Sequence, residues 1–192
     1  MEPQHFNVKL RVQDPAPGTL EALIPVFHGW IQEHACPEQL VDVADYSHVP
    51  AGPGVVLIGH EADYSLDGAG HRWGVRYNRK AEVPGGTQER LAQAARAALD
   101  ACRRLERDAS LGGRIRFDGR AIELFVNDRL LAPNTAATRA ALEPELKRFC
   151  DRLLGGAGYT LAFESEPRRL FGVTVTAAAA VSAEQLLANL GA

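Results

Sequence analysis

Residues 54–66, GVVLIGHEADYSL, decide how the chain is read. Apolar residues crowd the first half and alternate with polar ones in the second, as in a strand with one buried face. A single strand puts Val56, Ile58, His60, Ala62 and Tyr64 on that apolar face, with Glu61 and Asp63 on the other. Asp67-Gly68-Ala69-Gly70 reads as a turn, and a strand over 72–80 follows it. Pairing Tyr64 with Trp73 across that turn sets Glu61 opposite Arg76, an ion pair across the sheet, and His60 opposite Tyr77. On the other side, Pro50-Ala51-Gly52-Pro53-Gly54 leads back to a strand over 40–48. A register joining Ala44 to His60 extends the His60 face with Asp42, Tyr46 and His48. A slip of one residue substitutes Asp45 for Asp42 and His48.

Working outward, Phe6, Val8, Leu10 and Val12 alternate with polar residues and predict a strand. Thr19 opens a helix to about Ala35, striped by Leu20, Leu23, Ile24, Phe27 and Ile31 and weakened by Pro25, which removes a backbone donor. Pro84-Gly85-Gly86 is the best internal break, and Thr87 then starts the clearest helix. Its apolar side is Leu91, Ala94, Ala95, Ala98, Leu99, Cys102 and Leu105; Arg90, Gln93, Arg103, Arg104 and Arg107 face outward. Arg114 to Val126 reads as a hairpin turning at Asp118-Gly119, with Ile115, Phe117, Ile122, Leu124 and Val126 on one face. A helix over 135–154, interrupted at Pro144, turns Leu142, Leu146, Phe149 and Leu153 inward. Tyr159 to Phe163 and Leu170 to Val175 form a last hairpin around Glu166-Pro167-Arg168. Ser182 and Gln185 match a capping box for a short final helix.

The predicted order is β-α-β-β-β-α-β-β-α-β-β-α, in one domain over 1–192. The fold class is α+β: a mainly antiparallel sheet built of hairpins, with amphipathic helices packed chiefly on one face. A helix followed by a hairpin recurs, although no repeat is visible in the residues.

Composition narrows the function classes. The 192 residues are enough for one sizeable core and short for two. With 46 % hydrophobic and 23 % charged residues, the chain has no disorder signature. No apolar run approaches a membrane span, and Met1-Glu2-Pro3-Gln4-His5 lacks the basic and apolar regions of a secretory signal, so the predicted compartment is the cytoplasm. A net charge of −3 argues against nucleic-acid binding, which relies on clustered Lys and Arg to neutralise phosphates. Cys36, Cys102 and Cys150 are odd in number and far apart, which excludes a paired zinc motif and disfavours a disulfide framework. Cys102 and Cys150 fall in apolar helix stripes, as small buried hydrophobes do.

Two stretches carry candidate chemistry. His60 stands in an apolar row, and either Asp42 or Asp45 reaches it according to register, with His48 alongside. His28, at the edge of the first helix's stripe, and His34 cover the same region. A carboxylate that fixes an imidazole tautomer serves general-base catalysis or metal ligation. The competing reading is a buried histidine satisfied by a carbonyl or a tyrosine hydroxyl. The second stretch, 126–135, places Asn127, Asp128 and Arg129 at a strand end, where ligand contacts concentrate. Its competing reading is turn chemistry, with Asn134 or Thr135 capping the next helix. Gly52-Pro53-Gly54 lacks the Lys-Ser/Thr of a phosphate cradle and is a hairpin connection. No nucleophile elbow, Cys-x-x-Cys, His-Glu-x-x-His or dinucleotide fingerprint occurs, and the cofactors are unknown.

Residues 27–32 (FHGWIQ), 42–48 (DVADYSH), 59–64 (GHEADY) and 127–135 (NDRLLAPNT) together resemble an uncharacterised bacterial protein family. The resemblance spans nearly the whole chain and implies a bacterial, soluble, single-domain protein, with no activity, cofactor or catalytic residue attached. Two functions follow. The first is a non-catalytic binding or assembly module that uses its open sheet face or edge strands to form a homodimer or hold a protein partner. The second is a small enzyme or metal-binding protein with a site of His28, Asp42 or Asp45, His48 and His60. The module demands less of the sequence.

Overall fold

The 54–66 stretch folds back on itself at its centre, and the rest of the architecture follows from that reversal. The structure is a computed structural model that describes residues 2–191. Its strands are β1 (Phe6–Val12), β2 (Leu40–Tyr46), β3 (Gly54–Gly59), β4 (Ala62–Asp67), β5 (Gly74–Arg79), β6 (Phe117–Val126), β7 (Tyr159–Phe163) and β8 (Phe171–Ala177). Its helices are α1 (Thr19–Gln32), α2 (Thr87–Arg107), α3 (Ala136–Leu153) and α4 (Ala183–Asn189). The predicted single strand is therefore β3 and β4, with His60 and Glu61 at the turn and Ile58 opposite Asp63. Gly59 permits the reversal, because a Cβ there would lie 2.6 Å from the Ala62 carbonyl oxygen. Polar side chains hold the turn: Asp63 accepts from the Gly59 N–H at 3.3 Å, and Glu61 accepts from the Gln39 N–H at 3.0 Å.

The predicted hairpin over 114–126 is instead one long strand, β6. Asp118-Gly119 does make its turn, but inside the strand: Gly119 takes φ 73°, and the Asp118 carboxylate accepts from the Arg120 and Ala121 N–H groups at 2.7 and 2.9 Å. The result is a bulge. Pairing with β1 jumps from Leu10–Ile122 to Val12–Phe117. Long ladders to β1 and β8 on either side outweigh the local hairpin. The two corrections offset each other. The described residues form eight strands and four α-helices, as predicted, but four strands rather than three separate α1 from α2, and one rather than two separates α2 from α3.

All eight strands join one antiparallel sheet in the order β2-β3-β4-β5-β1-β6-β8-β7. The helices lie on one face: α1 over β2 and β3, α2 over β1 and β5, with α3 and α4 beside α2. This is the α+β class with an antiparallel sheet. Pro25 and Pro144 interrupt neither α1 nor α3. The apolar stripe of α2 meets the sheet as its spacing requires, with Leu91, Leu99 and Leu105 at most 1 % exposed. Burying each contributes ~1.5–3 kcal/mol. Arg90, read as outward-facing, is 6 % exposed and donates to the Val83 and Pro3 carbonyls.

The order also reveals a pseudo-two-fold. From the centre outward, β1-β5-β4 mirrors β6-β8-β7, with α1 following β1 as α3 follows β6, and α2 following β5 as α4 follows β8. The β2–β3 hairpin occurs only in the first half. Among the described residues, the second face of the sheet carries no helix. Its middle is polar, yet Asn7, Lys9, Asp67 and Glu123 are at most 2 % exposed. No helix among the described residues is long and apolar enough to cross a membrane.

Candidate functional site

The reversal at Gly59 disperses the histidine site read from the sequence. His60 leaves the apolar row for the exposed turn between β3 and β4. His28 is exposed on α1, and His48 is exposed beyond β2. Ala44 lies opposite Val56 rather than His60, so Asp42 faces Ile58 and Asp45 faces Val55. Asp45 accepts from the Ser47 N–H at 2.8 Å, and its hydrogen bonds with Ser47 hold the carboxyl below its ordinary value. Among the described residues, no three His, Cys, Asp or Glu side chains come together to hold a metal ion. The ion pair of Glu61 with Arg76 does not form, since Arg76 lies opposite Ser65.

The 126–135 stretch is mostly turn chemistry. The Asp128 carboxylate accepts from the Leu131 N–H at 3.1 Å, and Thr135 caps α3 through the Thr138 N–H at 3.3 Å. Asn134 ties the loop to the β7–β8 connection by donating to the Glu164 and Glu166 carbonyls. Asn127 is exposed and spends its backbone N–H on the His5 carbonyl. Arg129 reaches across to donate to the Arg168 carbonyl at 2.7 Å.

A roomy cavity lies elsewhere, on the helix side of the sheet. It has a volume of about 890 Å³ and opens between the loop after α1, the ends of β4 and β5, and the flank of α2. His34 ends α1 with a left-handed φ of 50° and sends Cys36, Pro37 and Glu38 down towards the sheet. There Tyr64 and Tyr77 are cross-strand partners, with rings edge-on at 5.1 Å between centroids. Both hydroxyls donate to Glu38, Tyr64 to Oε2 at 2.6 Å and Tyr77 to Oε1 at 2.8 Å. Glu38 is 8 % exposed, so these charge-assisted bonds replace water for a buried carboxylate.

Directionality then runs outward along the network. The single proton of Tyr77 is committed to Glu38, so its oxygen accepts from Gln93 Nε2 at 2.8 Å and from Arg79 Nη1 at 3.4 Å. Arg79 is locked by the Ala81 and Glu82 carbonyls at 2.8 and 3.2 Å. Gln93 has its amide orientation fixed by this chain of donors, which leaves its Oε1 buried with no partner. Arg104 and Asp100 of α2 stand at the rim, and Cys36 lies on the loop side.

The protonation states are equally constrained. Burial pushes the Tyr64 hydroxyl far up from its ordinary value, and the neighbouring Cys36 and Glu38 add to it. Tyr77 is raised by burial as well. Burial pushes the Cys36 thiol up to about 11, although a hydrogen bond with Tyr64 works the other way. At neutral pH all three stay protonated, as fixed donors rather than nucleophiles. The floor of the cleft is a closed network whose tyrosine donors are spent on Glu38, with one unfilled acceptor beside it and Arg104 at the rim.

This site was missed for a definable reason. Glu38 stands in a loop with no motif around it. The Tyr64–Tyr77 pair depends on a turn spanning 68–73, whereas a tight turn at 67–70 sets Tyr64 against Trp73. The available signal was two tyrosines placed symmetrically about a glycine-rich turn. Compared with known proteins, the chain matches no family model, no curated protein and no solved structure.

Proposed function

We propose that the protein is a non-catalytic binding module of the cytoplasm, and that the Glu38 cleft is where its ligand sits. The observation that carries this is Gln93 Oε1, a buried acceptor held in place by the Tyr77–Glu38 network and left without a partner. An immobilised, unpaired acceptor in the wall of a cleft favours a ligand that brings an O–H or N–H to it. Arg104 at the rim suits an anionic group at the other end. The class that fits is a small hydroxy or amino acid. Catalysis is disfavoured because the thiol and hydroxyls of the cleft are held protonated and no lowered-pKa nucleophile adjoins them. Assembly belongs to the same reading: the edge strand β2 and the turn after it expose Val41, Tyr46 and Val49, apolar surface for a second copy or a protein partner.

Native mass spectrometry of untagged protein tests the ligand, followed by thermal-shift titration with a panel of hydroxy and amino acids. Stabilisation of the parent but not of Gln93→Leu is the expected result. Equal stabilisation of both proteins, or none of either, overturns the cleft as the site. Stoichiometric metal by elemental analysis would instead favour the enzyme or metal-binding reading.

A further inference from the structure

The helix-free face of the sheet holds a second concavity, of about 320 Å³, unconnected with the Glu38 cleft. Strand alternation separates the two: Tyr77 turns to the helices, and its neighbour Arg76 turns to the open face. Six cations line this concavity, Lys9, Arg72, Arg76, Arg129, Arg168 and Arg169, against the carboxylates of Glu123 and Glu164. Such a concentration is unexpected in a chain of net charge −3.

The cations are only partly satisfied from within. Lys9 and Arg76 share Asp67 at 3.0 and 2.9 Å. Arg72 stands 3.6 Å from Glu123, and Arg169 stands 3.3 Å from Glu164. Among the described residues, Arg129 and Arg168 have no carboxylate partner, and the buried Nε atoms of Arg72 and Arg76 donate to nothing. Six cations around one hollow outnumber Asp67, Glu123 and Glu164, and that surplus of positive charge fits a phosphate group.

A second observation identifies what carries the phosphate. Leu130, next to Arg129, is 91 % exposed, and Leu131 is 50 % exposed. Asp128 and Asn134 brace this loop, so its apolar tip is presented rather than tucked away. Exposed leucines serve no purpose against a nucleic-acid backbone. They suit the boundary between headgroups and acyl chains.

We propose that this face docks on an anionic phospholipid surface, with a headgroup phosphate in the arginine hollow and Leu130 and Leu131 in the interface. Docking of this kind leaves the Glu38 cleft, on the opposite face, open to solvent. It stands or falls independently of the ligand proposed there.

Co-sedimentation of the full chain with phosphatidylcholine vesicles, with and without phosphatidylserine, tests the docking. Binding should require phosphatidylserine and weaken with salt. Arg168→Ala with Arg169→Ala should lower partitioning roughly 25-fold, at about five-fold per arginine. Leu130→Ser should lower it roughly ten-fold or more, and this exposed residue can change without affecting the fold. Absence of binding, binding undiminished in either variant, or retention by a duplex oligonucleotide instead of vesicles would each overturn the proposal. So would inorganic phosphate stabilising the protein while both vesicle types leave it in the supernatant.

Discussion

Replacing Tyr77 by Phe keeps the ring and deletes one oxygen. That oxygen donates to Glu38 Oε1 and accepts from Gln93 Nε2, both at 2.8 Å. Without it the carboxylate oxygen has only Arg79 Nη1, at 3.8 Å, beyond hydrogen-bond range. A hydrogen bond to a charged group contributes ~1.5–3 kcal/mol, and the stranded Gln93 amide adds about 1 kcal/mol. The expected loss is therefore ~3 kcal/mol, a fall in Tm of roughly 6–12 °C for a chain of this length. Urea unfolding followed by tryptophan fluorescence reads it directly, because Trp30 packs edge-on against Tyr64 with ring centroids 6.4 Å apart. The midpoint should fall at constant m value. Replacing the whole group, Glu38→Leu with Tyr64→Phe and Tyr77→Phe, should cost about as much as the single change, since the buried carboxylate goes with its donors and Arg79 keeps the Ala81 and Glu82 carbonyls. A Tyr77→Phe protein within about 0.5 kcal/mol of the parent would refute the reasoning. So would a triple variant several times worse than the single one.

Asp67→Asn should be severe in the same assay, at ~3–5 kcal/mol, because it leaves Lys9, 2 % exposed, facing a neutral amide. The pair Lys9→Met with Asp67→Leu should recover part of that loss. Burial opposes the Asp67 charge, but Lys9 and Arg76 outweigh it and hold the carboxyl below its ordinary 3.8. Its contribution is thus present above that value and lost as pH falls through the lower folded one; acid titration of the Asp67→Asn variant should be correspondingly flatter. At the alkaline end the sign reverses. Cys36 rises from 9.0 to about 11, so the unfolded chain loses its proton first and stability declines across that window. Tm should fall more steeply there in the parent than in Cys36→Ala; identical slopes would contradict the burial of that thiol.

Much of the fold was legible in the sequence because periodicity reports burial. The even residues of β1, the stripe of α2 and the inward positions of α3 all lie where their spacing put them. What spacing does not report is where a chain reverses. GHEAD has no turn dipeptide, yet it turns, because Gly59 tolerates a close carbonyl and Asp63 and Glu61 satisfy the exposed backbone. Asp118-Gly119 has the turn dipeptide but does not reverse the chain, because β1 and β8 flank it. The candidate site suffered from the same cause. His60 lies in the turn itself, so its expected neighbours belonged to a strand that it had already left. Glu38 is invisible to any local rule, because its partners come from two strands whose register depends on that reversal.

The pseudo-two-fold has a consequence for chain integrity. The halves share one backbone ladder, β1 with β6, and one covalent crossing, the segment after α2 where Gly112 and Gly113 take φ 56° and 75°. A cut in that segment would leave two fragments, each ending in a helix and each with a bare central strand. Neither fragment can hide that edge alone, whereas each supplies the strand the other lacks. The central ladder is then a recognition surface between two parts of one molecule, and a nicked chain would keep its shape by non-covalent complementation.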